Sequence, residues 1–399
     1  MTDAVQLAPF DEDSYYQDPL GFFARLRESR PVAPVRMPGY GRAWIVTRYA
    51  DVRTVLTDPR LAKDVHRWPG GGRSRPSEAT GVYAHMLHAD PPDHTRLRRL
   101  VQKVFTPRPA ALRPRAEEIA AGLLEEMAAA GGDVIDLLGA YARPLPIAVL
   151  CELLGIPVAD RTWIAVTVAA YDERAEHERV ERELAAYFTE LIAARRAEPG
   201  DDLVSALVAA RGNANGAADG LTANELLSAV FLLVMAGFDT TVNLIASGTL
   251  ALLTHPGEQT RLRQDPSLLP AAVEELLRFT NPVNHANDRF TIEDVPVGDV
   301  VIPAGEWVLP ATSSANRDSA RFPDPDRLDL DRDTSGHLAF GHGVHYCLGA
   351  PLARMEAEVA LGALLARFPR ISPAAPQEEL RWRPVSVMNG LESLPVRLA

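Results

Sequence analysis

Phe340-Gly341-His342-Gly343-Val344-His345-Tyr346-Cys347-Leu348-Gly349 is the stretch on which the reading of this chain turns. A single cysteine stands among three glycines, with an aromatic seven residues before it and a histidine two before it. Glycine is needed where backbone takes positive φ or passes close to a ligand. A thiolate is stabilised by a metal, by nearby positive charge and by the N-terminus of a following helix, and residues 350–368 have the pattern of such a helix. The loop is therefore suited to bring bare backbone against something large and flat while presenting one thiolate to a metal. The bland alternative is a structural cysteine in a glycine-rich turn.

Composition narrows the class. The 399 residues carry a formal net charge of −12 with pI about 5.4, which argues against nucleic acid, whose partners carry basic patches. Only Cys151 and Cys347 are present, so there is no disulfide framework and a reducing cytosol is the expected compartment. Cys151, in the apolar run 148–154, reads as an inert core residue. Lys63 and Lys103 are the only lysines among otherwise all-arginine cations, a bias in keeping with a GC-rich genome. Residues 1–9 show no signal peptide or anchor. Residues 228–253 are apolar enough to imitate a membrane span, but Asp239 sits in the middle with Thr240, Thr241 and Asn243, and a central Asp costs about 2.5–3.5 kcal/mol in a bilayer. A helix buried in a soluble protein is the expectation.

No linker or internal repeat divides the chain, so one large unit over 1–399 is expected, mainly α with a small β lobe. Its subregions are β-rich to about residue 65, helical from about 90 to 280, and β and cysteine loop from 281 to 399. Strands are predicted at 32–35 and 44–47, and helices at 19–29 and 49–58. Residues 68–80 read as a mobile loop able to cover a pocket. The stretch 172–196 is polar on most faces and reads as a solvated helix. Thr222-Ala223-Asn224-Glu225 is a capping box opening a helix of some thirty residues that His255-Pro256 ends. Short strands and hairpins are predicted over 289–309.

Three further clusters carry chemistry. Ala236-Gly237-Phe238-Asp239-Thr240-Thr241 combines a groove, hydroxyls and a carboxylate in an apolar helix; threonine there can turn its hydroxyl onto the carbonyl four residues back and bend the helix. Glu275 and Arg278 share a helical face, and Pro325-Asp326-Arg327-Leu328 follows. His94 and Arg98 are four apart and face the same side.

Taken together with the cysteine loop, these segments resemble the cytochrome P450 family of haem-thiolate monooxygenases, in its soluble, bacterial, actinomycete-type form. The match at Phe340, Gly341, Gly343, His345, Cys347 and Gly349 is complete, and five matched segments from Asp90 to Gly349 cover the chain in order. The resemblance implies the family's triangular fold, with haem b between the long helix and the cysteine loop and Cys347 on the iron. It implies Asp239 and Thr240 as the acid–alcohol pair, a buried triad of Glu275, Arg278 and Arg327, and propionate contacts from His94, Arg98, Arg289 and His345. Pocket positions would include the 68–88 segment, Leu232, Met235, Ala236, Val283, Asn284, His285, Val387 and Met388. The expected reaction is insertion of one oxygen atom from O2 into a C–H bond or double bond of an apolar molecule, such as a macrolide or other polyketide, steroid or terpenoid, as in antibiotic and other secondary metabolism. No flavin or NAD fingerprint is present, so electrons would come from a ferredoxin and its reductase, docking near Arg96, Arg99, Lys103, Arg108 and Arg354. A cytoplasmic monomer without membrane or nucleic-acid contacts is expected. Oxidative coupling on the same centre, or a haem-binding sensor, are the alternatives.

Overall fold

The computed structural model describes residues 7–8, 10, 12–37, 41–69, 81–210 and 220–398. Helices α1 (Glu12–Gln17) and α2 (Pro19–Ser29) lead into the hairpin β1 (Val32–Met37) and β2 (Gly41–Val46), then α3 (Tyr49–Thr57) and β3 (Leu61–Ala62). Most of the helices follow: α4 (Asp93–Phe105), α5 (Arg108–Ala129), short strand β4 (Ile135–Asp136), α6 (Pro144–Leu154), α7 (Arg161–Ala169), α8 (His177–Ala197), α9 (Leu203–Ala210), α10 (Ala223–Gly237), α11 (Asp239–Thr254), α12 (Pro256–Gln264) and α13 (Leu269–Thr280). The chain then returns to β structure in β5 (Arg289–Thr291), β6 (Val295–Val297), β7 (Val300–Ile302) and β8 (Trp307–Pro310). It closes with α14 (Thr312–Ala315), α15 (Ala350–Arg367), β9 (Ser372–Pro373) and β10 (Pro395–Arg397).

Local chemistry accounts for these boundaries. Asp18 caps α2 by accepting from the Gly21 N–H at 2.8 Å, and Pro19 occupies the first turn, where its missing N–H costs nothing. The five-stranded sheet has the order β1-β2-β8-β5-β3, so the early hairpin is completed by strands from far along the chain. Trp44, Val46, Val52 and Val308 form the core of this lobe. Of the expected loop at 68–80, residues 70–80 lie outside the described residues. Trp68 is packed, with its ring centroid 4.6 Å from Phe290 and 4.9 Å from Trp307.

Helix α8 corrects the expectation of a solvated helix over 172–196. Val180, Leu184, Phe188, Leu191 and Ile192 recur at helical spacing and are buried together with Glu181, while the arginines and the other glutamates occupy the outer faces. The abundance of those charges masked a narrow apolar stripe. The residues before His177 form short 3-10 turns instead of helix.

The capping box opens the long helix as expected. Thr222 Oγ1 accepts from the Glu225 N–H at 3.2 Å and Glu225 Oε2 accepts from the Thr222 N–H at 2.7 Å. The helix runs on from Ala223 to Thr254 with an interruption at Phe238, which stays in the right-handed region (φ −91°, ψ −73°) where Thr240 Oγ1 donates to the Ala236 carbonyl at 2.9 Å and Thr241 Oγ1 to the Gly237 carbonyl at 3.4 Å. These hydroxyls compete for carbonyls at the joint. Every residue from Thr241 to Leu253 is buried in protein, which is why a helix apolar on all sides belongs here.

A buried ion pair fastens the cysteine-loop side to α13. Arg278 Nε donates to Glu275 Oε2 at 2.7 Å, and its Nη1 donates to the carbonyls of Asn316 and Pro325 at 3.0 and 2.9 Å. The third arginine of the triad is Arg332 and not Arg327: Arg332 Nε donates to Glu275 Oε1 at 3.2 Å. The Arg327 side chain is 67% exposed and 3.9 Å from Asp329; only its carbonyl joins, accepting from Arg278 and Arg332 at 3.4 and 3.1 Å. Two arginines five apart compete for one carboxylate, and the turn between them places the later one inside. Arg332→Ala should therefore lower stability by about 1–3 kcal/mol in denaturant titration, the cost of stripping a partner from a buried carboxylate. Arg327→Ala should leave the midpoint unchanged.

Candidate active site

The segment before Cys347 is held from both ends. Asn316 Oδ1 accepts from the Leu338 N–H at 2.6 Å, and the Cys347 N–H donates to the Phe340 carbonyl at 2.9 Å. Gly341 and Gly343 both take positive φ (71° and 76°). At Gly343 a Cβ would also lie 3.1 Å from the Leu56 carbonyl oxygen and 2.9 Å from Thr57 Cγ2, so α3 leaves no room for a side chain. Phe340 is roofed by the Arg354 guanidinium, 4.5 Å from the ring centroid. That guanidinium is fixed by Glu274, which accepts from Arg354 Nε at 2.5 Å and from His337 Nε2 at 3.0 Å. His337 Nδ1 accepts from the Ala339 N–H at 3.2 Å. Glu274 is held down to about 2 by these donors against its desolvation.

Cys347 lies in a concavity, reachable by surface yet crowded by protein. Burial raises its thiol, while the N–H groups of Gly349 and Ala350 and the guanidinia of Arg98 and Arg354 pull the other way. Gly349 caps α15, so the sulfur sits where a helix N-terminus favours negative charge.

Beside it the basic groups are crowded. His94 and Arg289 are 2% and 3% exposed, the His94 and His345 rings stand 4.3 Å apart, and neither ring nitrogen of His94 has a hydrogen-bond partner. Burial, with repulsion from Lys63, His94, Arg289 and Arg98, pushes His345 down to about 2. Burial alone outweighs Asp288 and Asp90 in lowering Arg289 to about 10. Asp90, which accepts from Arg67 Nη1 at 2.9 Å, does not neutralise this group of five cations and imidazoles. Such a cluster fits a planar cofactor carrying two carboxylates, with a soft thiolate for its metal. His94, Arg98, Arg289, His345 and Cys347 are thus brought together as expected. Lys63, 2% exposed, joins them; its one sequence signal was to be one of two lysines in a chain rich in arginine.

On the opposite side, the joint between α10 and α11 leaves Ala236 exposed and Thr240 and Met235 half-buried, with Leu232 behind them. Val283 pairs with Met388 in an isolated bridge, which puts both on the same edge. Two pocket expectations are corrected. Asn284 is structural: its Nδ2 donates to the carbonyls of Met388 and Ser386 at 2.9 and 3.3 Å, and its N–H to Val387 at 2.8 Å. His285 is 1% exposed with Nδ1 3.1 Å from the Ala286 carbonyl. Both polar side chains are spent inside the protein because a loop this tight must satisfy its own backbone.

Asp239 begins α11 with both oxygens on Arg383, Oδ1 accepting from Nη1 at 2.9 Å and Oδ2 from Nη2. Arg383 was not singled out in the sequence, where an arginine between Trp382 and Pro384 carries no pattern. Glu356 of α15 is a second unforeseen group: it is 1% exposed, its carboxyl is raised well above the ordinary value by burial, and it hydrogen-bonds Thr241.

The family model for cytochrome P450 matches residues 170–388. This chain belongs to the cytochrome P450 family. Cytochrome P450 107B1 of Saccharopolyspora erythraea is 47% identical over 98% of this chain and 97% of its own length, and the P450 monooxygenase PikC of Streptomyces venezuelae is 45% identical over 95% and 91%. Among solved structures, the Bacillus subtilis bacillaene-synthase P450 PksS superposes with a TM-score of 0.90 at 40% identity, covering 98% of this chain and all of that one. The chain is accordingly a P450 monooxygenase with haem b as cofactor, using O2, a redox partner and a small-molecule substrate. Cys347→Ser should abolish the strongly red-shifted carbon monoxide band of the reduced protein while haem stays bound through Arg98, Arg289 and His94. An unchanged band in that variant would displace Cys347 from the iron.

Proposed function

We propose that this P450 hydroxylates or epoxidises a macrolide or related polyketide in the cytoplasm, as a monomer supplied with electrons by a ferredoxin and its reductase. The observation that carries this is the joint between α10 and α11, which leaves Ala236 exposed and Met235 and Thr240 half-buried in a chain whose relatives act on polyketides. Polyketide relatives support the substrate class: 6-deoxyerythronolide B hydroxylase of Saccharopolyspora erythraea is 43% identical over 97% of this chain and 98% of its own length. A screen of macrolactones reading the ferric spin-state shift, followed by mass analysis of product for one added oxygen atom, tests it. Shifts given only by steroids would overturn it.

Haem, when bound, supplies O2 activation and oxygen-atom transfer. The chain's own residues do the rest. His94, Arg98, Arg289 and His345 hold the carboxylates of the cofactor. Apolar side chains exclude water and orient the substrate, and Thr240 Oγ holds a proton at the opening. Asp239 replenishes it. The intact Asp239 and Thr240 pair favours oxygenation over oxidative coupling or sensing, which need neither group.

For the electron donor, the expected cations differ in exposure. Arg96 is paired with Glu225, Arg108 lies 3.8 Å from Asp201, and Arg354 is held by Glu274. Arg99 and Lys103 on α4 and Arg53 on α3 are exposed, around a loop that shows Val344 (53%) and Tyr346 (37%) to solvent. An apolar centre with a cationic rim suits an acidic ferredoxin.

Thr240→Ala should keep substrate binding and divert reducing equivalents to peroxide, whereas Asp239→Asn should slow turnover by roughly tenfold or more; wild-type rate and coupling in both would remove the pair from proton delivery. Charge reversal at Arg99 and Lys103 together should slow reduction and flatten its salt dependence with substrate affinity intact.

A further inference from the structure

Phe340, whose carbonyl takes the Cys347 N–H at 2.9 Å, has its ring enclosed by charge and by aromatic edges. The Arg354 guanidinium of α15 lies 4.5 Å from the ring centroid. The Tyr346 ring meets it edge-on at 6.1 Å, and the His337 ring stands at 6.0 Å. Arg354 also reaches the Tyr346 hydroxyl, with Nη1 at 3.4 Å and Nη2 at 3.5 Å. One cation thus contacts both the residue that accepts the cysteine amide and the residue that precedes the cysteine.

That cation is held in place from outside the loop. Glu274 of α13 takes the guanidinium on both oxygens, Oε1 accepting from Nε at 2.5 Å and Oε2 from Nη2 at 3.0 Å. Its Oε2 also lies 3.0 Å from His337 Nε2. A two-pronged arginine–carboxylate pair is the strong form of that contact and fixes orientation as well as position. The two side chains are 30% and 27% exposed, so water shields the pair only in part. The hydrogen bonds of Glu274 go to Arg354 and His337, and whatever it does to Cys347 passes through them. Glu275, the next residue, is engaged separately with Arg278 and Arg332.

A guanidinium over an aromatic face is attracted to the ring, and arginine keeps its charge at any working pH. The Arg354 charge favours a thiolate at Cys347, and the Glu274 charge beside it acts with the opposite sign. An electron arriving from the redox partner makes the cofactor and its thiolate more negative by one charge. Positive charge nearby therefore favours the reduced protein and negative charge the oxidised one. We propose that Glu274 is a positioning residue for electron entry: by pinning Arg354 over Phe340 and cancelling part of its charge, it sets the reduction potential of the haem bound at Cys347. One electron takes ferric to ferrous iron, and no bond or proton is exchanged at Glu274. This takes Cys347 to be the iron ligand, as in the site described above.

Dye-equilibrated spectroelectrochemistry of the haem-loaded protein at low ionic strength tests this, with the reduced carbon monoxide band showing that the thiolate is still on the iron. Glu274→Gln keeps the shape and an acceptor for Arg354 but removes the negative charge. Its reduction equilibrium should move about tenfold toward the ferrous state, or about 59 mV for one electron. Arg354→Met removes the cation and should move the potential by a similar amount in the other direction. The double variant should return to within about twofold of wild type. Glu274→Asp, which keeps the charge, should stay near wild type as well. A pair that only braced the loop would give damage of one sign in both single variants, accumulating in the double. An unmoved or lowered potential in Glu274→Gln, shifts of one sign in the two single variants, a double variant farther from wild type than either, or loss of the band in Glu274→Gln would each overturn the proposal. An unchanged band in Cys347→Ser would instead remove the ligand assignment beneath it.

Discussion

Everything on the cysteine side of the molecule depends on one ion pair without contact to water. Glu275 and Arg278 have side chains 1% and 0% exposed, and charges so placed cost several kcal/mol each in lost hydration. They are tolerable only if every remaining donor and lone pair is filled by groups at fixed positions. Those groups are the carbonyls of Asn316 and Pro325, the Asp329 N–H and Arg332. The requirement binds an otherwise irregular stretch to α13. Asn316, at the end of that stretch, then holds the Leu338 N–H with its side chain, two residues before the Phe340 that receives the cysteine amide.

Local chemistry was readable in advance where a residue acts on its own neighbourhood. The helix expected at 19–29 is found as Pro19–Ser29, the capping box at Thr222 forms, and Gly341 and Gly343 of the cysteine loop take the positive φ that motivated them. What failed depended on which of several equivalent groups tertiary packing selects. Arg327 and Arg332 offer the same fork to Glu275, and only the course of the turn decides between them. Arg383 has no local partner and meets Asp239 from 144 positions away. Asn284 was chemically able to face a ligand, but its carbonyl partners at Ser386 and Met388 come from the distant C-terminal loop.

The two faces of the site manage charge in contrasting ways. Around Cys347, Lys63, His94, Arg98, Arg289 and His345 repel one another, and that repulsion is a specification for a dianionic occupant. At the helix joint, Arg383 pairs with both Asp239 and Asp172 inside the protein. The first face therefore gains from its cofactor, while the second finds its counter-charge within the chain. The joint at Phe238 separates them along the same chain segment, so a bend of the helix serves geometry and electrostatics at once.

The chain's near-exclusive use of arginine has a practical side. Its two side-chain amines lie in opposite settings: Lys63 is buried among the imidazoles beside Cys347, and Lys103 is exposed on α4. Amine-directed chemistry on the folded protein would thus find one lysine, on the face proposed for the electron donor. A fluorophore or cross-linker attached there would report on donor approach from the one exposed lysine, with no residue replaced.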